Sequence, residues 1–280
     1  MQRIGILQRF LSFFFRATTL YGIHSPFVYD FTEAVLEDDR QFYAFSALED
    51  LRQLLRTDDR SIEVTDYGAG SALGLGRTRK IRQIARSSLS SAHFCQLLFR
   101  LAQHYQAQTI LEMGTSLGLS TLHLAKGAGS RAQVISLEGC PNIAALAQQH
   151  FQTFQAEHIQ LRVGPFHATL RPALEQLQKL DLAFIDGNHR GEATLRYFYQ
   201  CLEYHHEGTI LIFDDIHWSE DMQAAWQSIQ ADPRVRLSID LFFAGLVFFR
   251  SEGQEKQHFK LVPHRWKPWS LGFFRAPTPH

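Results

Sequence analysis

The feature that most constrains the fold is an alternation of short apolar runs with helical segments, which begins near residue 93. Short apolar runs bounded by turn residues predict buried strands, and apolar residues three and four positions apart predict helices. The predicted strands are 109–113, 133–137, 159–163, 182–185 and 209–213, and the predicted helices are 94–105, 117–126, 142–154, 170–179, 194–205 and 221–231. Five strand-then-helix units predict an α/β fold with a parallel sheet between two helical layers. Two further β-rich runs, 235–241 and 246–250, predict a terminal antiparallel hairpin.

Three regions differ in pattern, and we interpret them as 1–92, 93–252 and 253–280. The first is expected to be a helical N-terminal extension that ends in a glycine-rich loop. Its predicted helices are 7–15, 31–36 and 48–55, with a loop at 21–27. The second region is the α/β domain, and the third is a C-terminal tail.

Two segments outside the α/β domain allow more than one interpretation. The glycine-rich stretch 66–71 is either a structural loop or a lid, and the basic stretch 77–86 after it is expected to be a helix. The tail carries Trp266 and Trp269 among prolines, and Phe273 and Phe274 follow. We expect it to pack on the protein's own surface, with docking to a partner or a membrane face as the alternative.

Composition excludes several classes of protein. Lys+Arg and Asp+Glu both number 28, so no general attraction to nucleic acid is expected and no nucleic-acid partner is predicted. No apolar run reaches the roughly 18 residues of a membrane span. The three cysteines form no CxxC pair, which disfavours a disulfide framework or a zinc site. Because no signal-peptide cleavage pattern is recognisable either, a cytoplasmic protein is expected.

The first chemical signal lies in residues 110–120, ILEMGTSLGLS. The strand ends near Glu112, Gly114 permits a tight turn and close approach of a ligand, and Gly118 allows the next helix to pack closely. In open α/β sheets, ligands bind beyond the carboxyl ends of the strands, where this loop lies. An ordinary tight turn between strand and helix is the alternative interpretation.

A second acid strengthens the prediction of an adenosine-type ligand. The next strand ends in Glu138, and an acidic side chain there can accept hydrogen bonds from both ribose hydroxyls. A dinucleotide site needs GxGxxG, whereas this loop has GxxxG preceded by Glu112. A carboxylate repels phosphate and suits a cation, which favours S-adenosylmethionine (SAM) over NAD.

The segment resembles motif I of the class I SAM-dependent methyltransferases, and residues 111–120 resemble catechol O-methyltransferase and related small-molecule O-methyltransferases. The resemblance covers about residues 93–250 and implies a Rossmann-like sheet with a SAM-binding domain at 93–252. It implies that Ser120 binds the donor carboxylate and Glu138 the ribose. The full set interpreted as donor-binding is Glu112, Gly114, Thr115, Ser116, Gly118, Ser120, Glu138, Gly139 and Asp186.

Three further carboxylates follow the fourth and fifth strands, at Asp186, Asp214 and Asp215. Clustered without a counter-charge, they would raise one another's pKa, and a hard divalent cation such as Mg²⁺ would relieve the repulsion. Capping of the next helix is the alternative role for Asp214 or Asp215. The resemblance adds that metal-dependent O-methyltransferases carry acids at these positions, which implies a ligand set of Asp186, Asp214 and Asp215.

The general base departs from the family pattern, because His189 stands where the catechol family has lysine. Histidine can accept a hydroxyl proton near neutral pH, so His189 is the predicted base and Asp186 its catalytic partner, with His189 as a metal ligand or surface residue left open. His217 is a second histidine that could line the same cavity.

The predicted function is metal-assisted O-methylation of a small hydroxylated molecule by in-line transfer. The acceptor is not identified, and both monomer and homo-oligomer remain open. Three alternatives remain: a metal-independent methyltransferase acting on nitrogen or protein, a nicotinamide-dependent oxidoreductase, and a binding protein without activity.

Overall fold

The computed structural model of the chain describes residues 2–65, 77–251 and 255–270. The α-helices are α1 Gln2–Arg16, α2 Pro26–Phe31, α3 Tyr43–Thr57, α4 Ile81–Ser88, α5 Ala92–His104, α6 Leu119–Ala128, α7 Pro141–Thr153, α8 Phe166–Leu177, α9 Gly191–Leu202 and α10 Glu220–Ala231. The strands are β1 Ser61–Val64, β2 Arg77–Lys80, β3 Thr109–Met113, β4 Gln133–Glu138, β5 Ile159–Val163, β6 Leu182–Ile185, β7 Ile210–Asp214, β8 Leu237–Asp240, β9 Ala244–Phe248 and β10 Gln257–Lys260.

The central sheet has eight strands in the order β10-β8-β9-β7-β6-β3-β4-β5. Strands β3 to β7 run parallel, whereas β9 lies antiparallel to both β7 and β8. The predicted parallel sheet with a terminal antiparallel hairpin is therefore confirmed. Because β3 lies between β4 and β6, the chain reverses direction across the sheet beside β3, which is where α/β sheets open a ligand crevice.

Successive residues of the central strands point to opposite faces, so each strand supplies both halves of the core. Ile110 belongs to the core beneath α5, α6 and α7, and its neighbour Leu111 belongs to the core beneath α8, α9 and α10. The same division separates Ile212 from Phe213 in β7. Burial on both faces explains why these strands are continuous apolar runs.

The N-terminal helices α2, α3 and α4 add to the first of these two core layers. Val28, Phe31 and Leu48 are fully buried in the same cluster as Leu98 of α5. The expected helix at 31–36 is a π-helix, Thr32–Leu36, which continues α2. Among the described residues, no helix is long and apolar enough to cross a bilayer.

The expected all-helical arrangement of residues 77–86 is wrong in its first part. Arg77–Lys80 is a strand that pairs antiparallel with Ser61–Val64, and only then does helix α4 begin. A four-residue strand of sequence RTRK has no apolar alternation, and its conformation depends on a partner 16 residues earlier in the chain. The glycine-rich stretch 66–71 interpreted as a loop or lid lies outside the described residues.

The tail contributes a strand that was not expected. Strand β10 pairs parallel with β8 and so extends the sheet by one edge. The rest of the described tail packs on α1: the Trp266 and Phe10 rings lie 6.4 Å apart, and the Trp269 and Phe14 rings 6.5 Å apart. These contacts agree with the expected packing on the protein's own surface, while Phe273 and Phe274 lie outside the described residues.

Candidate active site

The predicted donor loop connects β3 to α6 at the carboxyl edge of the sheet. Gly114 has a φ of +103°, and a Cβ there would overlap the carbonyl oxygen of Asp186. Its amide donates to the Leu137 carbonyl over 2.9 Å, and the Asp186 amide donates to the Met113 carbonyl over 2.9 Å. The close approach that requires glycine is therefore made by the neighbouring strand end rather than by a ligand, and it fixes the loop against β4 and β6.

Gly118 serves the packing of α6, as expected. Its φ is +83°, and a Cβ there would lie 2.7 Å from the Phe151 ring and 3.3 Å from the Ala147 Cβ, both on α7. Because Gly118 is in this left-handed conformation, α6 begins at Leu119 rather than at the expected residue 117. The turn therefore brings α6 directly against α7.

Glu112 is fully buried at the end of β3. Its Oε2 accepts hydrogen bonds from the Thr121 hydroxyl and, at 2.6 Å, from the Ser136 hydroxyl. Burial raises the pKa of Glu112 to about 7, while the nearby hydroxyls of Ser136, Thr121 and Ser120 oppose the rise. Its Oε1 is buried and accepts no hydrogen bond from the described residues.

Glu138 is held at the end of β4 by two backbone amides. Its Oε2 accepts from the Ser116 amide and its Oε1 from the Cys140 amide, each over 2.9 Å. Burial raises the pKa of Glu138, and the amides of Cys140, Ser116 and Gly139 oppose the rise. A carboxylate has about four acceptor positions, so Glu138 keeps capacity for further donors.

The remaining donor-loop residues lie between these two acids. Thr115 is buried, and its hydroxyl shares a hydrogen bond of 2.5 Å with the Ser136 hydroxyl. Ser116 has a φ of +49°, and its buried Oγ has no hydrogen-bond partner among the described residues. Ser120 lies in the first turn of α6, 8% exposed, close enough to Glu112 to lower its pKa. The sequence analysis missed Ser136, whose only signal is a small polar residue inside an otherwise apolar strand.

Asp186, Asp214 and Asp215 come together at the ends of β6 and β7. Burial, then the charges of Asp215 and Glu112, raise the pKa of Asp186 to about 7. Burial, then the charges of Asp186 and Asp215, raise the pKa of Asp214 well above its ordinary value. Asp186 and Asp214 are thus harder to ionise because both are buried next to other carboxylates.

His189 lies beside this acidic cluster. Its Nε2 is 3.7 Å from Asp186 Oδ1, and its Nδ1 is 3.8 Å from Asp215 Oδ2. Asn188, His189 and Asp215 all have a positive φ, at 70°, 34° and 53°. Non-glycine residues in this region carry strain that often marks functional sites. The side chain of His189 is 39% exposed and so can meet a molecule that enters from solvent.

His217 has a different environment from His189. Its Nε2 donates to Asp240 Oδ2 and its Nδ1 accepts from Gln223 Nε2, both over 2.9 Å. The ring stacks on Phe242 at a centroid distance of 5.0 Å. With both nitrogens bonded, His217 orders the loop after β7 rather than offering a proton acceptor.

The residues present fit a cationic adenosine derivative better than they preform a metal site. The unpartnered Glu112 Oε1 is a buried acceptor that an ammonium or sulfonium group would satisfy. For a metal, the three aspartates supply hard oxygen ligands and excess negative charge. No group of three or more His, Cys, Asp or Glu side chains in the described ranges is arranged to hold an ion, and the raised pKa values of Asp186 and Asp214 disfavour the ionised form that a metal needs.

Comparison with known proteins gives one coherent result. A family model described as a methyltransferase domain matches residues 111–216. The chain is 30% identical to a catechol O-methyltransferase of Mycobacterium tuberculosis over 159 residues, which is 56% of this chain and 69% of that protein. It is 31% identical to a catechol O-methyltransferase of Niastella koreensis over 168 residues, covering 57% of this chain and 75% of that protein.

Solved structures agree with these relatives. The cofactor-bound protein Rv0187 from MTB has 27% identity and a TM-score of 0.50, with 59% of this chain and 83% of that chain covered. An O-methyltransferase from Bacillus cereus in complex with SAH shares the fold, at 20% identity and a TM-score of 0.52, with 75% of this chain and 92% of that chain covered. The nicotinamide alternative is thereby set aside, and the chain belongs to the class I SAM-dependent O-methyltransferases.

Proposed function

We propose that this enzyme transfers the methyl group of SAM to a hydroxyl oxygen of a small hydroxylated acceptor, with a divalent cation such as Mg²⁺ at the acidic cluster. The observation that carries the proposal is the convergence of Asp186, Asp214, Asp215 and His189 next to the loop that holds Glu112. The two catechol O-methyltransferases similar to this chain support a hydroxylated aromatic acceptor.

The donor would be bound by the two glutamates at neighbouring strand ends. Glu138, already oriented by the Ser116 and Cys140 amides, would accept from the ribose hydroxyls. The free Glu112 Oε1 and the Ser116 hydroxyl would receive the polar groups of the methionine part. The raised pKa of Glu112 supports this role, because a bound cation recovers the cost of ionising a buried carboxyl.

The acidic cluster would hold the cation. A divalent ion there would neutralise the aspartates and stabilise the deprotonated form of a hydroxyl acceptor. Asp186 and Asp214, whose pKa values are raised in the ligand-free protein, would ionise on binding the cation, and Asp215 would turn its partly exposed carboxylate inward. His189, between Asp186 and Asp215, would accept the proton from the acceptor hydroxyl.

The test is a methyl-transfer assay with SAM and a panel of catechols, phenols, sugars and amines, with Mg²⁺ or with EDTA. We expect turnover of one or more hydroxylated compounds that EDTA removes. In Asp186→Ala, metal-dependent turnover should be lost while affinity for S-adenosylhomocysteine (SAH), measured by calorimetry, stays nearly intact.

The matched control is Asp50→Ala, an exposed acid on α3. This variant should keep both turnover and SAH affinity. Methyl transfer only to amines, or turnover unchanged by EDTA, would contradict the proposal and favour metal-independent transfer to nitrogen.

A further inference from the structure

Helix α1 has two adjacent apolar faces, although only one of them is covered. Phe10, Phe13 and Phe14 on the inner face pack with Phe242 and Val262. On the outer face, Leu7, Leu11 and Phe15 are 58%, 44% and 77% exposed. These three are spaced at i, i+4 and i+8, so they form one stripe along the helix. An exposed apolar stripe beside the covered face is typical of a surface that contacts another molecule.

Three exposed tryptophans surround α1. Trp218, Trp266 and Trp269 are 48%, 40% and 63% exposed. Trp218 is linked to the helix because its carbonyl accepts from the Arg9 guanidinium over 3.2 Å. The other two lie against the Phe10 and Phe14 rings of α1. We name the set Leu7, Leu11, Phe15, Trp218, Trp266 and Trp269 the terminal surface.

The two ends of the chain build this surface together. The Thr18 amide donates to the Lys260 carbonyl over 2.8 Å, and the Val262 amide returns to the Thr18 carbonyl over 3.1 Å. Lys267 Nζ donates to the Ala17 carbonyl just after α1 over 2.6 Å and lies 4.8 Å from the Phe14 ring centroid. These contacts hold α1 in place, so the outer stripe is a fixed part of the fold.

Charge is segregated onto the same two segments. Residues 1–29 and 256–280 contain eight of the 28 Lys and Arg residues and none of the 28 Asp and Glu residues. Arg16 and Arg265 are exposed there. Among the acids of neighbouring segments, Glu37 is bound to His264 over 2.7 Å, Asp240 is bound to His217 over 2.9 Å, and Glu220, two residues after Trp218, is exposed. Arg16 and Arg265 therefore add positive charge to an aromatic surface, whereas Lys267 is buried against α1.

We propose that the terminal surface docks the protein onto an anionic lipid surface. Helices that lie in a membrane interface carry Leu and Phe on one face, tryptophans at the border of that face, and basic rather than acidic residues. The terminal surface has the same composition. Anionic headgroups attract the basic residues, and the apolar side chains enter the acyl boundary. A symmetric contact with a second copy would instead bring the same basic segments against each other.

Docking would place the lipid surface next to the acidic cluster. The Trp218 amide donates to the Asp215 carbonyl over 2.9 Å, and Phe242 packs with Phe13 of α1 at 5.4 Å between ring centroids. The terminal surface and the acidic cluster are thus joined by one loop. The docking itself requires neither donor nor acceptor, so it can be tested apart from methyl transfer.

The experiment is sedimentation of the full chain with vesicles of phosphatidylcholine alone or mixed equally with phosphatidylglycerol. We expect binding to the mixed vesicles that weakens as salt is raised, because the basic residues are screened. Three of the four tryptophans lie on the terminal surface and Trp226 is buried, so emission should shift to the blue on binding.

The variant Leu7→Gln/Leu11→Gln/Phe15→Gln should bind the mixed vesicles at least about tenfold more weakly. Its matched control is Tyr43→Gln/Leu54→Gln/Val163→Gln, which replaces three exposed apolar residues elsewhere, 102%, 68% and 48% exposed, and should bind like the wild type. The variant Arg16→Gln/Arg265→Gln tests the charge independently and should bind roughly tenfold or more weakly.

Three results would overturn the proposal. The first is that the wild type stays in the supernatant with mixed vesicles. The second is that both test variants bind as the wild type does. The third is a concentration-dependent dimer in sedimentation equilibrium that the Leu7/Leu11/Phe15 variant abolishes, which would assign the surface to a second copy of the chain.

Discussion

At the scale of single residues, the proposed donor site depends on a buried acid that is costly to ionise. Glu112 is enclosed at the end of β3, with Oε2 bonded to Thr121 and Ser136 and Oε1 without a partner in the described part of the chain. Such an arrangement destabilises the ligand-free protein and favours a cation as ligand. Stability and donor affinity should therefore depend on pH in opposite directions.

The first prediction concerns Glu112 and pH. Because burial raises its pKa from 4.5 to about 7, the folded state retains a proton that the unfolded state loses between these values. The stabilisation is complete below about pH 4.5 and is lost as pH rises through about 7, by roughly 3 kcal/mol at 1.36 kcal/mol per pKa unit. Denaturant unfolding of the ligand-free protein at pH 5 and pH 8 measures it.

The control for this prediction is Glu112→Gln. The variant should lose that part of the pH dependence and bind SAM roughly tenfold to a hundredfold more weakly, as expected for loss of one charged hydrogen bond. Comparison with the wild type separates the contribution of Glu112 to the pH dependence of stability from that of Asp186, whose pKa is also raised to about 7. Equal pH dependence in the two proteins would contradict the assignment.

The second prediction concerns His189 as the general base. In His189→Gln, kcat should fall by roughly 10²- to 10⁴-fold, because positioned proton transfer contributes about that factor. SAH affinity should be unchanged, since His189 contacts Asp186 and Asp215 rather than the donor loop. His167→Gln, at an exposed histidine of α8, is the control and should keep full turnover. If turnover stayed within a few-fold of wild type, a group other than His189 would have to accept the proton.

At the scale of elements, the loop between β3 and α6 depends on glycine at its end. Gly118 combines a left-handed backbone with close contact between α6 and α7, so two separate penalties apply to any side chain there. Gly129 also has a positive φ, of +85°, yet a Cβ there would meet no atom within 4 Å. A side chain at Gly129 would therefore meet backbone strain alone, whereas one at Gly118 would meet backbone strain and overpacking.

The third prediction compares Gly118→Ala with Gly129→Ala. Gly129→Ala should cost only backbone strain, about 1–3 kcal/mol, because its φ of 85° and ψ of 170° lie in a region that is essentially restricted to glycine. Gly118→Ala should cost about 1–2 kcal/mol for the left-handed backbone and a further 1–3 kcal/mol or so for overpacking against Phe151. Denaturant unfolding gives both values, and a loss in Gly118→Ala of no more than the backbone cost would mean that Phe151 moves aside without cost. Gly118→Ala should also weaken SAH binding, because the donor loop ends there.

At the scale of the whole molecule, the donor crevice lies where the order of strands reverses, and ligand binding should stabilise the entire sheet. Strands β3, β4 and β6 carry Glu112, Glu138 and Asp186, and they are hydrogen-bonded neighbours in the centre of the sheet. A ligand bound across these strand ends stabilises the native state by mass action.

The fourth prediction is a thermal shift. SAH at about 100 times its Kd should add roughly 2.7 kcal/mol, which for a domain of this size raises Tm by about 5–10 °C. NAD at the same concentration should leave Tm unchanged. A shift with NAD and none with SAH would contradict the family assignment, and differential scanning calorimetry measures both.

Much of the fold could be predicted from the chain because its decisive signals are local. Each central strand is a short apolar run and each helix has its own periodicity, so β5 and β6 were predicted with the observed bounds. Helix ends were predicted less well, since they depend on contacts: α8 begins at Phe166, after Pro165, four residues before the expected start. Short strands β2 and β10 were missed because their conformation depends on distant partners.

The sequence by itself determined the α/β architecture and the acids at the strand ends, because parallel strands bring their carboxyl ends to one edge. Only the tertiary structure decided that the Asp186 carbonyl leaves no room for a side chain at Gly114. It also decided that one carboxylate oxygen of Glu112 is hydrogen-bonded while the other, within the described ranges, is not, and that Asp240 binds His217. The tertiary structure also brings the N-terminal and C-terminal segments together in one basic surface. These are properties of residues far apart in the chain, and neither periodicity nor composition reports such distances.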